Sequence, residues 1–84
     1  MQEEPIGFNP KILEELVTFK MPFGKYKDTI ICDIPSFYLE WFIHRGKLPD
    51  GKLGMLLSTM YEIKTNGLDD LLKPLKAKNS KYNK

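Results

Sequence analysis

The sequence predicts a small α+β domain that is mainly helical, with three to four helices and one two-stranded antiparallel hairpin. Apolar residues recur at helical spacing in three segments, and two short strand-like runs flank a glycine turn between the first and second of them. The 84-residue length fits one domain. Hydrophobic residues make up 42% of the chain, which is enough for a core.

The first helix is predicted to begin at Asn9 and Pro10, because asparagine caps helices and proline suits the first helical position. The apolar residues that follow share one side at helical spacing: Ile12, Leu13, Leu16, Val17 and Phe19. Residues 1–7 are expected to form a flexible N-terminus, so the globular domain should span residues 8–72.

The hairpin is predicted in the stretch MPFGKYKD, residues 21–28, and its flanks. Pro22 and Gly24 interrupt the helical pattern. Residues 19–23 and 29–32 read as two strands around a turn at residues 24–28.

The second helix is predicted from Asp33 to about Arg45, where Gly46 stops it. It is apolar most of the way round, which indicates a central helix surrounded by other elements. Its aromatic residues Tyr38 and Trp41 are therefore expected in the core.

The third helix is predicted to begin after Asp50 and to end at Asn66 and Gly67. Gly54 lies at the edge of its apolar arc. Glycine in a helix costs about 1 kcal/mol relative to alanine, so another backbone is expected to approach closely there. A short final helix is predicted at residues 68–72.

The net charge of +2 is unevenly distributed. Residues 73–84 hold five of the thirteen basic side chains and none of the eleven acidic ones, which leaves residues 1–72 with a net charge of −3. The segment 73–84 is expected to be a basic, disordered tail. No signal peptide or membrane span is expected, and the single cysteine favours a reducing, cytoplasmic location.

The chain is not expected to be an enzyme, and neither a catalytic site nor a cofactor or metal is predicted. One histidine and one cysteine cannot supply a Cys/His zinc cluster. Asp28 and Asp33 flank the second predicted strand and leave a metal-assisted hydrolase as a remote alternative. Turn and capping roles explain both carboxylates equally well.

A basic and aromatic cluster is the strongest candidate site. Lys25 and Lys27 point to one side of an extended chain and Tyr26 to the other. Arg45 and Lys47 could join them if the second turn folds back. Single-stranded nucleic acid uses such patches. The alternative is that the lysines only keep an exposed turn soluble.

The segments MPFGKYK (21–27), DIPSFYLEWF (33–42) and KLPDGKLGMLLSTMYEIKTNGL (47–68) occur in fixed order. The part of the chain that contains these segments, residues 19–72, resembles the "putative quorum-sensing-regulated virulence factor" family, a domain of unknown function. Similar domains occur beside exonuclease-like or helicase-like proteins, which implies an accessory role with nucleic acid. Asp28 departs from the glycine usual in the family. The matching positions that could form a site are Lys25, Tyr26, Lys27, Tyr38, Trp41, Tyr61 and Asn66.

The expected function is a non-catalytic binding module, associated with virulence or regulation, with nucleic acid or a nucleic-acid-processing protein as its partner. Contact with the phosphate backbone is assigned to Lys25, Tyr26, Lys27, Arg45 and Lys47. The alternative is a protein-interaction or dimerising module that does not bind nucleic acid. A hairpin edge or the outward-pointing Met55 could then join two copies.

Overall fold

The computed structural model describes residues 9–82, and the side chains of residues 9–78. Residues 1–7, expected to be flexible, lie outside this range. The described chain forms α1 (Pro10–Leu16), α2 (Ser36–His44), α3 (Gly51–Thr65) and α4 (Lys73–Tyr82). Short 3₁₀ helices at Ile31–Asp33 and Asp69–Leu71 precede α2 and α4. From residue 9 to residue 82 no β-strand is present.

The predicted α+β class is therefore wrong, because the hairpin does not form. A single antiparallel bridge joins Lys20 to Ile30. The pairing cannot grow past Met21, since Pro22 has no N–H and residues 23–28 form bends and turns. At its other end, Ile31 enters a 3₁₀ helix directly after the bridge. A single bridge between a long turn and a 3₁₀ helix is not a β-hairpin.

The core is centred on α3, which packs against α1, α2 and the first 3₁₀ helix. Four of its apolar side chains are buried at helical spacing, so one face of α3 is covered along its length. Together with residues from the surrounding elements, the buried core comprises Leu16, Val17, Met21, Ile31, Ile34, Leu39, Phe42, Leu56, Leu57, Met60, Ile63 and Leu72.

The expectation that α2 is surrounded by other elements is wrong. Leu39 and Phe42 are buried, but Phe37 is 62% exposed and Trp41 is 40% exposed. A nine-residue helix that packs mainly on α3 has only one covered face. Phe37 and Trp41 lie one turn apart on the other face. The expected core position of Trp41 is corrected accordingly, while Tyr38 is half-buried.

The predicted starts of α1 and α3 are confirmed. The Asn9 side chain accepts a hydrogen bond from the Lys11 N–H at 2.7 Å, and Asp50 is the N-cap residue of α3. The close approach predicted at Gly54 is confirmed too. A Cβ atom there would overlap the carbonyl oxygen of Pro49 and lie 3.0 Å from its carbonyl carbon.

The segment after residue 72 differs from the disordered tail expected from its charge. It is helical from Lys73 to Tyr82, and Pro74 lies in the first turn, where a missing N–H is tolerated. An ion pair between Lys76 and Asp33 connects α4 to the first 3₁₀ helix. The rest of the expected tail, residues 83–84, lies outside the described range. Within residues 9–82, no helix is long and apolar enough to cross a membrane.

Candidate functional site: an aromatic groove with a basic edge

The loop of residues 22–28 packs against α2 through aromatic contacts. The Tyr26 ring meets the Tyr38 ring edge-on, with centroids 4.7 Å apart and planes at 65°. Gly24 allows the loop to come this close, because a Cβ atom there would lie 2.7 Å from the Tyr38 hydroxyl. Its φ of +81° also favours glycine. Gly24 and Tyr26 therefore both hold the loop close to Tyr38 of α2.

This packing creates an open groove of about 270 Å³, which we call the aromatic groove, lined by Lys25, Phe37, Tyr38 and Trp41. The Tyr38 and Trp41 rings are nearly parallel, at 14°, with centroids 6.2 Å apart. Lys25 extends over the Tyr26 ring, with its Nζ atom 5.8 Å from the ring centroid. A cation therefore lies at the edge of an exposed aromatic surface.

The structure brings together four of the residues predicted for the site: Lys25, Tyr26, Tyr38 and Trp41. Two others have structural contacts elsewhere. The Tyr61 hydroxyl lies 3.4 Å from His44 Nε2, between α3 and α2. The Asn66 side-chain amide donates to the Glu62 carbonyl oxygen at 2.9 Å, at the end of α3. Neither Tyr61 nor Asn66 lines the groove.

The remaining predicted cations, Lys27, Arg45 and Lys47, are exposed. Arg45 is the C-cap residue of α2. Residues four apart on a helix lie on the same face, so Phe37, Trp41 and Arg45 form one outward row. We call these three residues the exposed row. Lys47 follows in the connection to α3, where its backbone N–H donates to the Phe42 carbonyl oxygen at 3.1 Å.

Phe37 is a groove residue that the sequence pattern does not single out. The apolar composition of its helix predicts a buried position for it. A usable signal is present in the sequence: Leu39 and Phe42 at spacing three define one face, and Phe37 and Trp41 at spacing four define the opposite one. A short helix can bury only one of these two faces.

The cations near the groove have no carboxylate partners, unlike four lysines elsewhere on the described surface. Four lysines have carboxylate partners: Lys52 with Glu15 at 2.8 Å, Lys64 with Asp69 at 3.8 Å, Lys73 with Asp70 at 3.1 Å, and Lys76 with Asp33. Among the side chains of residues 9–78, no carboxylate lies within 4.0 Å of the charged groups of Lys25, Lys27, Arg45 and Lys47. These four cations are free to meet an anion.

Asp28 lies next to Lys27 in the sequence and has a φ of +72°, a conformation that most side chains avoid. Aspartate tolerates it better than most residues. Its N–H donates to the Met21 carbonyl oxygen at 2.7 Å, which closes the loop. The carboxylate is exposed and adds one negative charge to a loop with two lysines.

A second, smaller cavity of about 150 Å³ is lined by residues of α3, α4 and the two 3₁₀ helices and by Leu72: Cys32, Met60, Asp69, Leu72, Lys73 and Lys76. Burial raises the pKa of the Cys32 thiol, and the neighbouring Asp33 carboxylate raises this pKa further. A hydrogen bond to Asp33 raises the pKa of Lys76. The thiol is therefore protonated at neutral pH and a poor nucleophile.

The two carboxylates considered for a metal have separate surroundings. Asp33 pairs with Lys76, whereas Asp28 belongs to the groove loop. Within the part of the chain that the structure describes, no group of three or more His, Cys, Asp or Glu residues is arranged to hold a metal ion.

Curated proteins of Escherichia coli are similar in sequence to most of this chain. The uncharacterized protein YpeB of Escherichia coli strain K12 is 47% identical over 64 residues, which cover 76% of this chain and 89% of that protein. YpeB of Escherichia coli O157:H7 matches to the same extent. No solved structure matches significantly. Residues 9–75 match the family model described as "Putative quorum-sensing-regulated virulence factor", which confirms the resemblance, and the chain belongs to this family.

Proposed function

We propose that this protein is a non-catalytic binding module whose aromatic groove and its basic edge engage the phosphate backbone of nucleic acid. The observation that carries the proposal is the position of Lys25, a cation without a carboxylate partner, beside the exposed rings of Phe37 and Trp41. The single, unpaired cysteine suits a reducing compartment, and we propose that binding takes place in the cytoplasm.

The position of unpaired cations next to exposed aromatic rings supports this function over a purely solvating role for the lysines. Cations that serve only solubility are usually interspersed with acids, as Lys52 and Lys73 are, although Lys11, Lys20 and Lys78 also have no carboxylate partner among the described side chains. Around the groove, Lys25, Lys27 and Arg45 have no such pairs among the described side chains. A polyanion that contacts them would release counterions, and the binding constant would fall as salt rises.

Titration of a fluorescently labelled oligonucleotide at several salt concentrations tests the proposal. We expect binding at low salt that weakens steeply with added salt. Lys25→Gln should lower the slope of log K against log salt by about 1, because one phosphate contact is lost. Lys78→Gln on α4 is the matched control: it also replaces an exposed lysine, and it should leave the slope unchanged. Absence of binding at low salt would contradict the proposal. A lower slope of log K against log salt for Lys78→Gln, together with an unchanged slope for Lys25→Gln, would also contradict it.

Asp28→Asn is expected to strengthen the same binding. Asparagine has the same shape and also tolerates a positive φ, so the loop keeps its conformation. Loss of the carboxylate removes repulsion between the loop and phosphate. We expect tighter binding at low salt, a gain that disappears at high salt, and an unchanged melting temperature. Weaker binding by a variant that melts normally would contradict the assigned role of the loop.

A further inference from the structure

We infer that the aromatic groove is selective for single-stranded over double-stranded nucleic acid, with unpaired bases stacking on Phe37 and Trp41 while Arg45 and Lys25 contact the flanking phosphates. This inference rests on the proposed function and adds the form of the nucleic acid and the part of it that is recognised. It starts from the exposed row, in which two rings without a protein cover are followed by a cation.

The exposed row has the chemistry of a stacking surface. Phe37 is 62% exposed, and within the described chain its ring takes part in none of the aromatic pairs. Trp41 makes an edge contact with the buried Phe42 at 5.2 Å and lies nearly parallel to Tyr38 at 6.2 Å, and its side chain remains 40% exposed. Aromatic side chains with bases stacked on them, next to a basic groove, are how proteins bind single strands without reading their sequence.

The spacing of the row favours an extended strand. Neighbouring positions of the row are four residues apart, so they are about 6 Å apart along the axis of α2. Successive nucleotides of one B-DNA strand rise only about 3.4 Å. Two consecutive bases can lie on Phe37 and Trp41 only if the strand is extended beyond its duplex form. In a duplex the bases are already paired and stacked, and exposing them costs unpairing energy.

Charge decides between nucleic acid and an apolar peptide as the occupant. The rings alone would suit either ligand. Lys25 lines the groove, and Arg45 follows Trp41 by one helical turn at the end of α2, so two cations accompany the rings and favour a ligand with negative charge. A nucleic-acid strand has a phosphate between successive bases, which matches a surface where two exposed rings lie next to cations.

Trp41 is the single tryptophan of the chain, so its fluorescence reports on the groove directly. We would titrate the protein at low salt with three ligands. These are a single-stranded oligothymidylate of about twelve nucleotides, the same oligomer with abasic sites in place of its bases, and a duplex of the same length. Stacked bases quench indole emission. We expect strong quenching by the single strand, little by the abasic oligomer despite its equal charge, and weak binding of the duplex.

Variants at Phe37 test whether its ring, like that of Trp41, stacks on a base. Phe37→Ala should weaken single-strand binding by about 5- to 150-fold, the range for loss of one stacking contact, while its melting temperature stays unchanged. Phe37→Tyr keeps a ring and should bind like the original protein. Labelled oligomers provide the binding constants, so these comparisons do not depend on the tryptophan signal.

The possible failures are distinguishable. Equal binding of duplex and single strand, with no quenching, would overturn this inference and leave phosphate-backbone binding in place. No binding of any oligomer at low salt would overturn both. A Trp41 emission that shifts with protein concentration alone, together with a doubled mass in solution, would show a second copy covering the groove and would also overturn the inference.

Discussion

Gly54→Ala is expected to destabilise the protein by about 2–3 kcal/mol, although alanine is the better helix former by about 1 kcal/mol. The added Cβ atom would overlap the backbone carbonyl of Pro49, and a backbone atom cannot rotate away as a side chain does. Either α3 or the segment before it would have to move. Since α3 contacts three other elements, this displacement would spread through the core. Chemical denaturation with fits of the unfolding free energy measures the effect.

Met55→Ala is the control for that measurement, because it changes the adjacent residue of the same helix. Met55 is 44% exposed, and its truncation should alter the unfolding free energy by no more than about 0.5 kcal/mol. A Gly54→Ala protein as stable as the original, or more stable, would show that the predicted backbone contact does not constrain α3.

Phe42→Ala is expected to have the largest effect, about 3–5 kcal/mol, because it removes a buried ring from between α2 and α3. The same ring contacts Tyr38 and Trp41, each with centroids 5.2 Å apart, so its loss should also disturb the aromatic groove. In a domain of this size such a loss is a large share of the total stability, and the variant should be partly unfolded at 37 °C.

Phe37→Ala provides a matched comparison, since it removes the same side chain from the same helix. Phe37 is mostly exposed, so we expect a change within about 0.5 kcal/mol. The difference in unfolding free energy between the two variants tests directly whether α2 has one buried and one outward face. Similar destabilisation by both variants would mean that Phe37 is covered in solution, and the groove would then have no open surface.

Three helices were predictable from the sequence, together with the starts of α1 and α3 and the ends of α2 and α3, because local signals define them. The predicted start of α2 at Asp33 is wrong, because Ile31–Asp33 forms a 3₁₀ helix and α2 begins at Ser36. Asn9 and Pro10 start α1, and the glycines that follow α2 and α3 end those helices. Gly54 was informative because glycine is costly inside a helix unless something requires it. Each of these signals acts within a few residues and needs no knowledge of the partner element.

The absence of the hairpin could not be read from local signals, and for α2 the residue spacing shows two opposite apolar faces but not which of them is covered. Strand-like residues on both sides of Gly24 form a ribbon only if the turn is tight enough for repeated pairing. Here the chain uses residues 22–28 to reach Tyr38 instead. Likewise, a helix that is apolar all round is buried only where enough elements surround it, and α2 packs mainly on α3.

The candidate site was predictable in part. Lys25 and Tyr26 stood out as neighbouring basic and aromatic residues, and the structure joins them to Tyr38 and Trp41. Phe37 was missed because its exposure depends on the packing of the whole helix. Tyr61 and Asn66 matched the family pattern, yet their contacts fit structural roles at a helix interface and a helix end.

The most direct measurement is the change in backbone amide chemical shifts of the isotope-labelled protein when a single-stranded oligonucleotide is added at low salt. We expect the largest shifts at residues 24–27 and along α2 from Phe37 to Arg45, with small changes on α4. Shifts confined to α4, with its lysines, would contradict the claim that the aromatic groove is the binding surface.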